Sequence, residues 1–460
     1  MKPASPARTY DAIVIGAGII GCAIALELGR AGRRVLCVDA GPAAGSGSTG
    51  ASSAIVRFHY SDATAITVAW DSYFDWIAWR DYLQLPAGEP LASYVQTGAL
   101  VLDAPGSRRQ ATLDQFRRIG IHHEQLTAAD IRRRFPEMST QSFWPPTTPD
   151  DPAFWDDGHG EISGYLTPDA GYIDDPQLAA RNIMSAAQHA GVTFLFRRLV
   201  RHVNTTRDQV AGVELDTGDT IHGPIVVNAG GPASDRLNQL ADVTGDMTVR
   251  GRPLRTETHE IPALPGFRTG RGGVFVTDAD LGVAFRPHGQ DRLHISSLEP
   301  DCDPLEWADD PWSYNNTPTQ RAYDRQTLRV ARRLPALRIP PRPCGIGALY
   351  DVTPDWRPIF DRSALPGYYL ACGTSGNCFK TAPAAGRIVA AIIDACESGH
   401  DHDRQPIRFI TPHQRQPLSL EYYSRHRAVA PTAPRNAIAL PAPDDKGIKS
   451  WRAPSTIPRP

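Results

Sequence analysis

Residues 11–39, DAIVIGAGIIGCAIALELGRAGRRVLCVD, constrain this chain more than any other stretch. Ala12, Ile13, Val14 and Ile15 form a short apolar run that suits a strand buried on both faces. Gly16, Gly18 and Gly21 follow in the spacing G-x-G-x-x-G. The first glycine permits a tight turn, the second lets backbone approach a pyrophosphate, and the third lets a helix pack close to the strand. Ile19, Cys22, Ala23 and Leu26 recur with helical spacing, and Gly32 is placed to end that helix. Val35, Leu36, Cys37 and Val38 make a second buried strand ending at Asp39, an acid placed to bind ribose hydroxyls. Strand, glycine turn, helix, strand and acid in this order predict a dinucleotide-binding βαβ unit. The alternative is a βαβ unit that binds nothing.

Composition bounds the remaining classes. The chain has 460 residues, enough for two or three compact regions. A net charge of -2 carries no footprint for nucleic acid or an anionic membrane, so neither is an expected partner. No run of 18 apolar residues predicts a membrane span, and the first nine residues lack the apolar core of a secretory signal. The expected location is cytoplasmic. Seven scattered cysteines without C-x-x-C pairs predict reduced thiols and no metal site. Of 48 basic residues only four are lysines: Lys2, Lys380, Lys446 and Lys449. Lys380 alone falls in the expected globular body. Either arginine is simply favoured throughout, or position 380 needs a compact ammonium that a planar guanidinium cannot replace.

The patterning predicts an α/β fold in which a Rossmann-like nucleotide domain is interleaved with a second, α+β domain built on an antiparallel sheet. The nucleotide domain would draw on residues 8–60, 165–240 and 340–412. The second domain, expected to hold substrate, would draw on 61–164 and 241–339. Helices are expected at 62–84, 109–119, 127–134, 176–190, 318–334 and 381–396. Strands are expected at 98–102, 192–196, 225–228 and 368–371, with a hairpin at 210–222 and antiparallel strands through 250–300. Residues 140–160 read as irregular and 344–361 as containing turns. Residues 422–460, rich in Pro, Arg and Ala, read as a disordered or loosely packed tail.

Four motifs in order, GAGIIG with Asp39, GSTGASSAIVRFHY (47–60), IVVNAGGPAS (225–234) and LYDVTPDWRPI with GTSGNCFKTAPAAGR (349–359, 373–387), resemble a known family. The likeness is to the FAD-dependent amine and amino-acid oxidoreductases of the D-amino-acid oxidase superfamily, over about residues 8–412. Within it the chain is most similar to sarcosine oxidases, including the β subunit of the heterotetrameric type, and to dimethylglycine dehydrogenases. The resemblance implies that Gly16, Gly18, Ile19, Ile20, Gly21, Asp39 and Ala40 hold the adenosine diphosphate half of FAD. It implies that Ser48 and Thr49 line the flavin side and that Val200 meets the adenine. Ala229 and Gly230 would close over the ribityl chain, and Gly373, Ser375, Gly376, Asn377, Phe379 and Lys380 would cradle the isoalloxazine. Arg57 and Lys380 would clamp a substrate carboxylate beside Tyr350, the three forming the catalytic set. Read from residue type alone, Arg57 could equally meet FAD phosphates or a structural acid. Lys380 could pair with an acid or the flavin, and Tyr350 could simply pack.

The chain also departs from that pattern. The sites of covalent flavin attachment in relatives fall at Ala348 and near Ala51, so the resemblance implies non-covalent FAD. GNCFK stands where relatives tend to show GHGFK. The strand expected to carry an oxygen-activating lysine reads GVAFRPHG (282–289), with Arg286 or His288 as the remaining basic groups. The implied reaction is oxidation of a C–N bond in a small carboxylate-bearing secondary amine or amino acid, by hydride transfer to flavin N5 and hydrolysis of the imine. O2 or another acceptor would take the electrons. His59, His259 and His288 are proton-handling candidates. Two further readings stay open: a 2-hydroxy acid dehydrogenase, and a flavoprotein subunit of a larger electron-transfer complex. A homo-oligomer or a partner subunit also stays open.

Overall fold

The computed structural model describes residues 8–429. A six-stranded sheet runs in the order Thr193–Phe196, Val35–Asp39, Ala12–Ile15, Val226–Asn228, Tyr368–Cys372, Ile359–Arg362. The first five strands are parallel and the last is antiparallel. Val14 lies opposite both Cys37 and Val227, so the strand Ala12–Ile15 is central.

Alternation of side chains along these strands explains the layers. Ala12, Val14, Val35 and Cys37 face the helices, in one core with residues of Ile19–Arg30, Pro176–His189 and Ala382–Glu397. Ile13, Ile15, Leu36 and Val38 face the other way, against Val200, Val213 and Leu215. Those last residues belong to a four-stranded sheet in the order Arg8–Thr9, Thr220–His222, Gln209–Leu215, Val200–Thr206, which contains the expected hairpin. Both faces of the central strands are therefore covered, which is why they read as unbroken apolar runs rather than alternating ones.

The other large sheet is antiparallel except where Phe275–Asp278 pairs parallel with Ala99–Leu102. Arg252–Pro262 pairs along most of its length with Gly345–Val352, and on its other edge with Arg292–Ser297 and Glu306–Trp307. The sheet continues through Val283–His288, Phe275–Asp278, Ala99–Leu102, Gly164–Thr167 and Glu124–Leu126. Helix Gln320–Arg333 packs on it through Tyr323 and Val330. A small sheet of Ile55–Val56, Gly171–Ile173 and Tyr94–Gln96 joins the motif loop to this region.

Three expectations need correction. Residues 345–352 form a strand, ahead of the turn at 354–356, where only turns were expected in 344–361. Two glycines and the Pro-Asp-Trp sequence after it conceal the strand, and its hydrogen bonds come from a partner strand some ninety residues away in the chain. Gly164–Thr167 and Gly345–Val352 both lie in the antiparallel sheet, so the domain edges expected at 165 and 340 do not coincide with the sheet edges. Residues 422–429 are packed: Tyr423, Arg425 and Arg427 are buried. Arg425 pairs with Asp246, Asp361 and Asp403, and Arg427 with Asp355. Ion pairs, together with Tyr423 in the apolar core, hold this segment, and apolar periodicity does not detect the ion pairs. The rest of the expected tail, 430–460, lies outside the described residues. Among the described residues no helix is long and apolar enough to cross a membrane, and no cluster of His, Cys, Asp and Glu could hold a metal. All seven cysteines are free thiols.

Candidate cofactor cleft and active site

A cleft of about 430 Å³ opens where the parallel strands end, the usual place for a ligand on such a sheet. Gly16, Gly18, Ile19 and Ile20 line one end with Asp39, Ala40 and Val200. Tyr350, Asp351, Gly376 and Phe379 line the other, with Ser48, Thr49, Ala229 and Gly230 also in the wall.

The glycine turn is dictated by close contacts. Gly16 has φ +106°, and a Cβ there would lie 2.3 Å from the Ala229 carbonyl oxygen. A Cβ on Gly21 would lie 1.8 Å from the Gly16 oxygen, so Gly21 serves packing under the turn and is not in the cleft wall. Asp39 is fixed by two backbone donors, Ala17 N–H to Oδ2 at 2.5 Å and Gly41 N–H to Oδ1 at 2.6 Å. The Thr49 hydroxyl accepts from Ile19 N–H at 3.0 Å and so occupies the start of the helix. Ser48 Oγ donates to the Leu349 carbonyl at 2.6 Å. A helix start facing a cleft, glycine-lined backbone and a fixed acid at a strand end form a donor set that fits FAD, with anionic phosphates at the helix dipole. Asp351 lines the other end of the cleft, while its carboxylate Oδ1 is turned against Gly251, buried and without a hydrogen-bond partner.

Arg57, Asn377 and Lys380 meet close to that end but outside the cleft wall. Arg57 Nη2 donates to Asn377 Oδ1 at 3.1 Å, and Nη1 donates to the His59 carbonyl. Its guanidinium lies over the Tyr60 ring, 4.3 Å from the centroid. Lys380 Nζ donates to Tyr60 Oη at 2.8 Å and to the Asn377 carbonyl at 2.7 Å. Arg57 and Lys380 are each 4% exposed. Among the described residues neither is paired with an acid, which removes the structural-acid alternative for both. Burial, then the Arg57 charge, holds the Lys380 ammonium well below its ordinary range. Burial pushes the Tyr60 phenol up to about 12 despite Arg57. His59, hydrogen-bonded to Thr277 Oγ1 at 3.0 Å, is held well below its usual value by burial and then by Arg57 and Lys380, so it is neutral. The helix Ala63–Ile77 supports the cluster: Trp76 Nε1 donates to the Lys380 carbonyl at 2.6 Å, and its ring stacks on Phe379.

The remaining sites are structural neighbours of this turn. Gly373 N–H donates to Asp351, and Ser375 Oγ accepts from Thr353 N–H at 3.2 Å; neither lines the cleft. Tyr350 packs on Gly376, where a Cβ would lie 2.7 Å from the ring. Arg286 is buried over the Tyr172 ring at 3.9 Å and bonded to Ser53 O and His288 Nδ1, away from the cleft wall. Sequence reasoning missed Tyr60, Asp351, Trp312 and Tyr314. The first two stood inside recognised motifs and were detectable as polar groups bound for a buried strand or turn. The last two reach the cleft from a loop without any motif.

Comparison with known proteins agrees with this layout. The chain is 26% identical over 420 residues to the monomeric sarcosine oxidase of Streptomyces avermitilis, covering 83% of this chain and 93% of that one. It shares its fold with the L-proline dehydrogenase of P. horikoshii, at TM-score 0.68 and 21% identity, covering 92% of this chain and 98% of that one. It also shares it with the glycine oxidase of Geobacillus kaustophilus, at TM-score 0.67 and 20% identity, covering 92% and 100%. The family model for DAO, FAD dependent oxidoreductase, matches residues 11–392. With a cleft built for the cofactor and a match over most of its length, the chain belongs to this family of FAD-dependent oxidoreductases.

Proposed function

We propose that this protein oxidises the C–N bond of a small secondary amine or amino acid carrying a carboxylate. The observation that carries the reading is the pair Arg57 and Lys380, two buried cations with no acid partner among the described residues. Burying charge without compensation is costly, and a substrate carboxylate supplies the missing charge through charge-assisted hydrogen bonds. The same two cations lower the proton affinity of a nearby amine, so the substrate is held as the free base that C–H oxidation requires. Bound FAD supplies the two-electron oxidant, accepting a hydride equivalent from the substrate α-carbon. Arg57 and Lys380 orient that carbon, Tyr350 packs against Gly376 in the cleft wall, and water hydrolyses the resulting imine. Position 348 is alanine and no cysteine lies in its strand, which supports non-covalent FAD. The similarity to a sarcosine oxidase supports the amine reading.

Anaerobic flavin bleaching tests it. N-methyl amino acids, amino acids or proline should bleach the flavin, and the matching amines without a carboxylate should not. Bleaching only by 2-hydroxy acids would replace the reading with the hydroxy-acid one. No lysine lies on the strand Val283–His288 and Arg286 lies outside the cleft wall, so reduced enzyme should reoxidise slowly in air and faster with an artificial acceptor. Stopped-flow mixing with oxygen measures this, and rapid, saturating reoxidation would contradict it.

A further inference from the structure

We propose that Trp312, supported by Tyr314, is a cofactor-binding residue whose ring covers the isoalloxazine of FAD and shields it from water. Both residues line the cleft, yet Trp312 is 53% exposed and Tyr314 37%. Trp307, at the root of the same loop, packs with Leu254 and Val352, whereas Trp312 and Tyr314 join no apolar cluster among the described residues. Large aromatic faces left in water are unfavourable, and the cleft is where a flat apolar partner can cover them. Trp155 is also exposed but lies outside the cleft wall, so exposure and cleft position coincide on the loop at 311–314.

The roots of the loop place it at the flavin end. Trp307 lies opposite Leu254, which on its other edge lies opposite Tyr350. Residues 308–317 then cross to Gly347, whose N–H donates to the Asn316 carbonyl at 3.0 Å. The loop therefore passes the strand pair that carries Tyr350 into the cleft wall, rather than the Asp39 end. Ala308 N–H donates to the Pro253 carbonyl at 2.9 Å and holds the near root. Arg255 holds the far root: Nε donates to the Asn315 carbonyl at 2.6 Å and Nη2 to the Thr317 carbonyl at 2.9 Å, while Glu257 and Glu306 fix its guanidinium. Inside the loop, Asp310 Oδ1 accepts from Trp312 N–H at 2.9 Å. A loop tied at both roots presents its rings already ordered, so covering a cofactor costs little further entropy. The isoalloxazine is itself flat and aromatic, and offset stacking of two such rings is favourable.

Trp312→Ala should raise the dissociation constant for FAD, read from flavin fluorescence of the holoenzyme in a dilution series, by about tenfold to a hundredfold, the usual worth of one stacked aromatic ring. Trp312→Phe keeps a flat ring and should keep most of the affinity. Iodide, a collisional quencher, should quench the bound flavin of the Ala variant several times more strongly than that of the wild type. ADP carries the adenosine half of FAD without the flavin, so its dissociation constant, from displacement of FAD, should be the same in the wild type and the Ala variant. Unchanged FAD affinity or unchanged iodide quenching in the Ala variant, a Phe variant as weak as the Ala one, or an equal loss of ADP affinity would each overturn the proposal. No substrate is involved, so this test is independent of the amine reading.

Discussion

Replacing Lys380 with methionine should weaken binding of a carboxylate-bearing substrate by about 100-fold while FAD stays bound. Methionine keeps much of the apolar stem but removes the ammonium that donates to Tyr60 and Asn377. Losing one member of a desolvated, hydrogen-bonded charge pair costs about 2–5 kcal/mol, and about 2.7 kcal/mol is a hundredfold. Lys380→Arg should not restore binding, because the planar guanidinium cannot occupy the tetrahedral place between Tyr60 Oη and the Asn377 carbonyl. The pH dependence separates a carboxylate clamp from a packing role. Burial and Arg57 lower the Lys380 value in the free site, and an arriving carboxylate raises it, so binding takes up a proton. Binding the amine as its free base releases a proton and favours high pH, so the uptake at Lys380 should flatten the pH dependence above the free-site value, and the methionine variant should lose that flattening. Anaerobic titration of flavin bleaching against substrate concentration reads both quantities. An unchanged dissociation constant, or the same slope in both proteins, would remove Lys380 from the clamp.

The largest effect on stability is expected at Arg333. Its guanidinium is fully buried and bonds Asp278 Oδ2 at 2.7 Å, Asp280 Oδ2 at 3.0 Å and the carbonyls of Ser139 and Gln141. It ties the helix Gln320–Arg333 to the turn after Phe275–Asp278 and to the irregular segment at 139–143. Arg333→Met removes the cation bonded to two fully buried acids, at a cost of about 3–5 kcal/mol. Urea unfolding should show a lower midpoint with a similar slope. Burial, reinforced by Asp278, already raises the Asp280 value, and losing Arg333 raises it further. An acid whose folded value is raised destabilises the fold above that value, so the variant should regain stability as pH falls through it. A midpoint within error of wild type at neutral pH would show that the acids find other partners.

The nucleotide half of the site was legible because its requirements are local. Gly16, Gly18 and Asp39 lie on one βαβ unit, and the steric demands of the turn are written into consecutive residues. The helices at 63–77, 176–189 and 320–333 were legible through apolar periodicity. The strand Gly345–Val352 was not, since its glycines and flanking turn residues only make sense beside Arg252–Pro262. Arg425 and Arg427 were hidden for a related reason. Their acid partners lie between 22 and 179 residues away, and a charged residue in a proline-rich stretch reads as solvated.

By itself, the sequence determined the βαβ unit, the return of its strands near 226 and 368, and the family. Contacts within a few residues and strong buried runs set all of these. Only the tertiary structure decided that Lys380 meets Arg57 through Asn377 and Tyr60, with no acid bonded to either among the described residues, and that Arg286 is buried over Tyr172 outside the cleft wall. Those facts depend on which distant groups share a dry space. The energy of a buried charge is set by that company and by the loss of water, and neither is encoded in local spacing.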